Sequence, residues 1–188
     1  MKLPPGFDYR PSYLEAPERT FAALHDGLQW RQQAIMMFGR KVMQPRLIDW
    51  YADPGVRYSY SGITLEATPW PAVMQDLRAR LEATSGERFN SVLCNLYRDG
   101  GDAMGWHADD EPELGPRPLI ASISLGASRR FRIRPRSGGA SVGIDLQPGS
   151  LLLMQGFSQR DYQHAVTRTR RRVGPRINLT FRKVLPRS

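Results

Sequence analysis

After Gly86 the chain breaks into short runs of alternating residues: Ser91 to Tyr97, Leu119 to Leu125, Arg129 to Arg134, Ser150 to Gln155 and Arg176 to Val184. Gly, Pro and Asp separate these runs, and a period of two with that punctuation predicts an antiparallel sandwich or barrel. Upstream the period changes. From Glu18 to about Gln33, Phe21, Leu24 and Leu28 recur at helical spacing behind Pro17. A second helix follows Thr68 and Pro69, with Val73, Leu77 and Leu81 on one face and Gly86 as its stop. Both helices are expected to pack outside one sheet. Between them, Phe38 to Tyr60 is aromatic, basic and broken by Pro45 and Asp53-Pro54-Gly55, which suggests hairpins or ordered loops. Arg136 to Gly143 is rich in Gly and Ser and reads as a loop.

A chain of 188 residues suits one domain with one core. Lys and Arg outnumber Asp and Glu by 27 to 18, a formal +9. That charge fits an anionic partner such as a nucleic acid, or simply a basic soluble surface. Its distribution favours the partner, because Phe157 to Ser188 holds nine basic residues and one acid, Asp161. The single cysteine, Cys94, excludes an internal disulfide and a Cys-rich zinc cluster, as expected in a reducing compartment. No run approaches the ~20 apolar residues of a membrane span, and the N-terminus lacks the apolar run of a signal peptide. A soluble intracellular protein is expected, cytoplasmic or, in a eukaryote, nuclear. With no long apolar repeat to form a dimer seam, the expectation is a monomer.

Strand parity sorts the polar residues. Residues two apart on a strand share a face, so Asn95 and Tyr97 lie on one side and Val92, Cys94 and Leu96 on the other. Arg176, Asn178, Thr180 and Arg182 likewise oppose Ile177, Leu179 and Phe181. A polar face of this kind is ordinarily a solvent face, but it can line a polar cavity. His107 and Asp109 would also share a side if the chain is extended there. A lone His-x-Asp recurs by chance, but the chain has only three histidines, and His25 falls in the first helix. His107, Asp109 and His164 supply two imidazoles and a carboxylate, the set that holds one face of an iron ion. Asp110, Glu111 and Glu113 could compete as ligands or form a solvated acidic turn.

Asn95-Leu96-Tyr97, Trp106-His107-Ala108-Asp109-Asp110-Glu111, Ser122-Ile123-Ser124-Leu125-Gly126, Pro148-Gly149-Ser150-Leu151-Leu152, Tyr162-Gln163-His164 and Pro175-Arg176-Ile177-Asn178-Leu179-Thr180-Phe181-Arg182 together resemble the motifs of the AlkB family of alkylation-repair dioxygenases. They stand in family order from about Asn90 to Lys183. Phe38-Gly39, Pro45-Arg46 and Tyr58-Ser59-Tyr60-Ser61-Gly62 extend the likeness into the region with which that family grips nucleic acid. Among its branches, the one acting on double-stranded DNA is the nearest in pattern.

The resemblance implies a double-stranded β-helix, or jelly roll, of the cupin-like kind. Residues 1–86 would hold the N-terminal helices and a nucleotide-recognition lid, and residues 87–188 the catalytic core. It implies Fe(II) on His107, Asp109 and His164, with 2-oxoglutarate and O2 as the other reactants. Arg176 and Tyr97 would take the distal carboxylate of 2-oxoglutarate, and Asn95 and Arg182 the other end, with Thr180 on the same strand face. Arg176 and Arg182 are six positions apart, about 20 Å of extended strand, so their long side chains would have to lean toward one ligand. The implied reaction removes N-methyl groups from bases such as 1-methyladenine and 3-methylcytosine in DNA, releasing formaldehyde. Methylated RNA is the alternative substrate, and a non-catalytic nucleic-acid-binding module is the alternative of another class. A base flipped from its stack would lie between Tyr60 and His107, near Ser61. Asp110 and Glu111 would favour the cationic lesions. Phe38 matches the position of a wedge in the duplex-acting branch, or is a core residue. Arg40, Lys41, Arg46, Arg168, Arg170, Arg171 and Arg172 are candidate phosphate contacts.

Overall fold

The computed structural model describes residues 2–37, 39–60, 63–65 and 67–186, with side chains throughout except at 35–37, 41, 58–60 and 63–65. The elements run β1 (Phe7–Arg10), α1 (Pro17–Gly27), β2 (Arg31–Met37), β3 (Arg40–Ala52), β4 (Tyr58–Tyr60), β5 (Ile63–Leu65) and α2 (Ala72–Ser85). The second half adds β6 (Ser91–Tyr97), β7 (Met104–His107), β8 (Ile120–Gly126), β9 (Arg129–Pro135), β10 (Val142–Leu146) and β11 (Ser150–Met154). A short α3 (Ser158–Asp161), β12 (Tyr162–Val166) and β13 (Arg176–Arg182) complete it. Seven strands form the larger sheet in the order β1-β11-β8-β13-β6-β3-β2, and four form the smaller, β10-β9-β12-β7. Their pairings are antiparallel, and β4 with β5 makes a separate hairpin.

Burial on both sides explains the composition of the central strands. Every residue of β6 and of β13 is buried. On the outer face, Val92, Cys94, Leu96, Ile177, Leu179 and Phe181 join Leu24 and Leu28 around α1 and Met74, Leu77 and Leu81 of α2 in one core. Each fully buried side chain of this size contributes about 1.5–3 kcal/mol by leaving water. Between the sheets, Ile120, Leu152 and Met154 from the larger meet Phe131, Ile133, Ile144, Leu146 and Val166 from the smaller. The result is a jelly roll with helices laid on one side, as the alternating runs predict. The polar face of β13 is a cavity face, not a solvent face.

Local chemistry sets the element ends. Pro17 sits in the first turn of α1, where a missing N–H costs nothing. Gly86 ends α2 in the left-handed region at φ 74°, its N–H bonded to the Glu82 carbonyl. At Gly126, φ is +76° and an added Cβ would lie 2.4 Å from the Pro175 carbonyl and 2.7 Å from the Phe21 ring, so only glycine lets α1 approach the sheet edge. The first helix is shorter than its periodicity suggests, because the chain turns extended after Leu28 and starts β2 at Arg31. Strands from the first 86 residues join the larger sheet: β1 pairs with β11, and β3 pairs with β6 from Leu47 to Ala52. The opening residues of β3, Arg40 to Met43, pair with β2, so this hairpin overhangs the sheet, with Val42 and Met43 exposed.

Candidate metal centre and cosubstrate cavity

Strand register brings the two histidines together. His107 on β7 is the direct partner of His164 on β12, and the imidazole centroids lie 4.2 Å apart. Asp109 follows two residues after His107, and the ligand atoms of the three side chains all lie within 4.8 Å of one another. Supporting contacts fix each group. His107 Nδ1 lies 2.8 Å from the Gly105 carbonyl, which needs a proton on that nitrogen and turns a bare Nε2 to the site. The Asp109 N–H donates to Gln159 Oε1 at 2.9 Å. His164 stacks on Phe131, and its buried Nδ1 finds no hydrogen-bond partner.

Electrostatics keep all three groups ready to ligate. Burial alone would raise the Asp109 carboxyl, but Arg182, His164 and His107 together hold it at about 2. Arg182 Nη2 lies 2.9 Å from Asp109 Oδ2, with both side chains nearly buried. Burial, then repulsion from His107, pulls His164 from 6.5 down to about 3, and burial also lowers His107. Two neutral imidazoles and one carboxylate are the protonation states that a divalent ion requires. Metal-free protein should therefore lose stability on acidification. Between 6.5, where an unfolded histidine takes its proton, and about 3, where folded His164 does, the unfolded chain binds more protons. Asp109 adds the same sign between 3.8 and about 2. Unfolding free energies from urea titrations with chelator should fall across the His164 window with a slope approaching about 1.4 kcal/mol per pH unit, and His164→Gln should reduce that slope.

The triad opens on one cavity, with room for water centres over about 40 Å³, which Asn95, Tyr97, Arg176, Asn178, Thr180 and Arg182 also line. Arg176 is 1% exposed. Its Nη2 donates to Ser124 Oγ at 3.0 Å, while the buried Nε and Nη1 have no hydrogen-bond partner among the described residues. Its guanidinium also stands 5.1 Å from the Tyr97 ring. An interior cation with two idle donors is costly unless an anion meets it, and a carboxylate matches its fork. Thr180 Oγ1 donates to Asn178 Oδ1, and Asn178 donates on to Ser122 Oγ. The donor set, the orphaned nitrogens and the positive end thus fit a divalent ion beside a dicarboxylate.

Other expected residues fall in different places. Arg46, expected at a phosphate, is 3% exposed, and its Nε donates to Asn95 Oδ1 at 2.7 Å. The neighbouring Pro45 carbonyl accepts the Ala103 N–H at 3.2 Å, which ties β3 to the β6–β7 connection. With its oxygen held by Arg46, the Asn95 amide is oriented and has its N–H groups available to donate to a ligand. Arg182 engages the metal ligand Asp109 as well as the cavity. Asp110 is exposed and ion-paired with Arg136, and Glu111 is half-buried. Arg40, Arg168, Arg170, Arg171 and Arg172 are exposed. Phe38 and Ser61, and the side chains of Lys41 and Tyr60, lie outside the described residues. Sequence assigned no role to Gln159 or Arg129, nor to Ser122 and Ser124, which stand in one of the quoted motifs. Alternation on β8 puts both serines on one face, but only strand register shows that this face meets Arg176 and Asn178.

Comparison with known proteins agrees with this arrangement. The model of the 2OG-Fe(II) oxygenase superfamily matches residues 9–182. Human alpha-ketoglutarate-dependent dioxygenase alkB homolog 3 is 40% identical over 188 residues, covering 94% of this chain and 65% of that protein. Mouse DNA oxidative demethylase ALKBH2 is 41% identical over 160 residues, covering 81% and 67%. The chain spans 65% and 63% of the length of the human and cattle alkB homolog 3 proteins. The solved structure of OsALKBH1 superposes with a TM-score of 0.69 over 97% of this chain and 100% of that one, at 19% identity, a likeness of fold. With a His-Asp-His cluster and a buried arginine in one jelly-roll cavity, and with the family match over residues 9–182 and the AlkB relatives at about 40% identity, the chain belongs to the 2OG-Fe(II) oxygenase superfamily, in its AlkB family.

Proposed function

We propose that this chain couples decarboxylation of 2-oxoglutarate to removal of N-methyl groups from alkylated bases in DNA. The observation that carries the cosubstrate half is Arg176, a buried guanidinium with two idle donors in the same cavity as the His-Asp-His cluster. The relatives named alkB homolog 3 and DNA oxidative demethylase ALKBH2 support the nucleic-acid half. When bound, the iron would activate O2, so that one oxygen atom enters succinate as CO2 leaves and the other enters the methyl C–H bond. The N-hydroxymethyl product then breaks its C–N bond, giving formaldehyde and the unmodified base.

His107, Asp109 and His164 would hold the ion. Arg176 and Tyr97 would anchor the distal carboxylate, with the Asn95 amide, Thr180 and Arg182 further along the cavity. Tyr60 and Ser61 are proposed to border the base, with Asp110 and Glu111 favouring a cationic lesion. Arg40 on the overhanging hairpin and the exposed Arg168, Arg170, Arg171 and Arg172 are proposed to meet phosphates, and Phe38 to act as the wedge. A positive surface supplies affinity without reading sequence.

The test is anaerobic reconstitution with Fe(II), then oxygen, with oligonucleotides carrying 1-methyladenine or 3-methylcytosine in matched single- and double-stranded forms. Succinate and formaldehyde should appear in about equal amounts. No succinate from any substrate would remove the oxygenase chemistry. Formaldehyde from methylated RNA but from neither DNA form would replace the substrate.

A further inference from the structure

Tyr97 carries a second guanidinium that the proposed chemistry does not use. Arg129, at the start of β9, is 3% exposed and stands 5.7 Å from the Tyr97 ring, close to the 5.1 Å of Arg176. Its Nη1 donates to the Asp99 carbonyl at 2.8 Å, and its Nη2 to the carbonyls of Asp102 at 2.8 Å and Thr167 at 3.0 Å. These acceptors belong to the β6–β7 connection and to the chain leaving β12, so one side chain ties two segments behind Tyr97.

All three acceptors are neutral, so the charge of Arg129 is not spent on them. The nearest acids, Asp99 and Asp102, attract Arg129 from a distance without pairing with it. Both Asp102 carboxylate oxygens bond Arg98, at 2.8 and 3.0 Å, and Asp99 Oδ1 accepts the Gly101 N–H at 2.8 Å. Among the described residues, no carboxylate is ion-paired with Arg129 or Arg176. Arg129 stands outside the cavity lining, behind Tyr97, so two like charges flank one aromatic ring at this end, an arrangement that an anion beside Tyr97 would relieve.

We infer that Arg129 is a positioning and specificity-determining residue for the cosubstrate. It braces Tyr97 against Arg176 and adds the second positive charge that makes this end select a 2-oxo acid with a distal carboxylate. Arg129 can act in this way only if 2-oxoglutarate occupies the cavity as proposed above.

Calorimetry on Mn(II)-loaded protein, which binds without turnover, can compare 2-oxoglutarate with 2-oxopentanoate, the same chain without its distal carboxylate. Arg129→Gln should weaken 2-oxoglutarate about tenfold or more while changing 2-oxopentanoate less than about threefold. Arg129→Lys keeps the charge but cannot span three carbonyls. It should retain the preference between the two acids within about threefold of the unsubstituted protein. In turnover, KM for 2-oxoglutarate should rise with Kd in Arg129→Gln while kcat stays within about threefold. Equal weakening of both acids, or a fall in kcat with KM unchanged, would make Arg129 a strut and overturn the inference. Should Arg129→Gln fail to fold, Arg129→Lys decides alone: a kept preference supports the charge role and a lost one refutes it. If the unsubstituted protein does not bind 2-oxoglutarate at all, the failure lies in the cosubstrate assignment itself.

Discussion

Arg176→Met is expected to raise KM for 2-oxoglutarate by about a hundredfold to a thousandfold while making the metal-free protein harder to unfold. The two effects have one cause. Arg176 is 1% exposed and leaves Nε and Nη1 without partners, so the empty fold carries the cost of a buried cation. Replacing such a group with an apolar one of similar length commonly gains about 1–4 kcal/mol. Binding reverses the balance, because the distal carboxylate would meet both idle donors in a dry site. Losing a buried charge-assisted pair costs about 3–5 kcal/mol, two to three orders of magnitude in affinity. Urea midpoints with chelator and initial rates of succinate formation would show opposite signs. A lower midpoint with an unchanged KM would make Arg176 a structural residue.

Asp109→Ala should abolish turnover and also destabilise the metal-free protein, by about 3–5 kcal/mol. The carboxylate is one of three ligand groups within 4.8 Å of one another, so its loss should weaken metal binding by at least about a hundredfold. It also answers Arg182 at 2.9 Å, and truncation takes the counter-charge from a buried guanidinium. Combining Asp109→Ala with Arg182→Met separates the two roles. The double variant should recover most of the lost midpoint and none of the metal affinity. Recovery of metal binding in the double variant would show that Asp109 serves the ion pair alone.

The sequence disclosed strands better where the environment is the same along their length. β6 spans Ser91–Tyr97, the run that alternation marks, because a packed outer face repeats Val92, Cys94 and Leu96 without interruption. β10 and β12 escaped notice for opposite reasons. Val142–Leu146 includes a Gly and an Asp that read as loop chemistry, and Tyr162–Val166 is five residues with no clean alternation. The metal residues were legible through the scarcity of histidine, though their meeting depends on a β7–β12 register that no local pattern encodes. The polar face of β13 was ambiguous for a physical reason: alternation reports that two faces differ, not whether the polar one meets water or a ligand. Arg46 shows the same limit, since a basic residue near a hairpin looks like a surface charge until its partner Asn95 is located.

The clustered histidines and the proposed cosubstrate anchors share no strand. His107 and His164 belong to the smaller sheet, and Asn95, Tyr97, Arg176 and Thr180 to the larger. The reach from metal to fuel would then be a gap between sheets, gauged by Ile133, Leu146 and Leu152, which pack between the sheets outside the cavity lining. Trimming those spacers would leave both half-sites chemically whole and still uncouple them, so that oxygen is consumed without product. Fidelity of the reaction thus resides partly in apolar side chains whose only chemical property is their size.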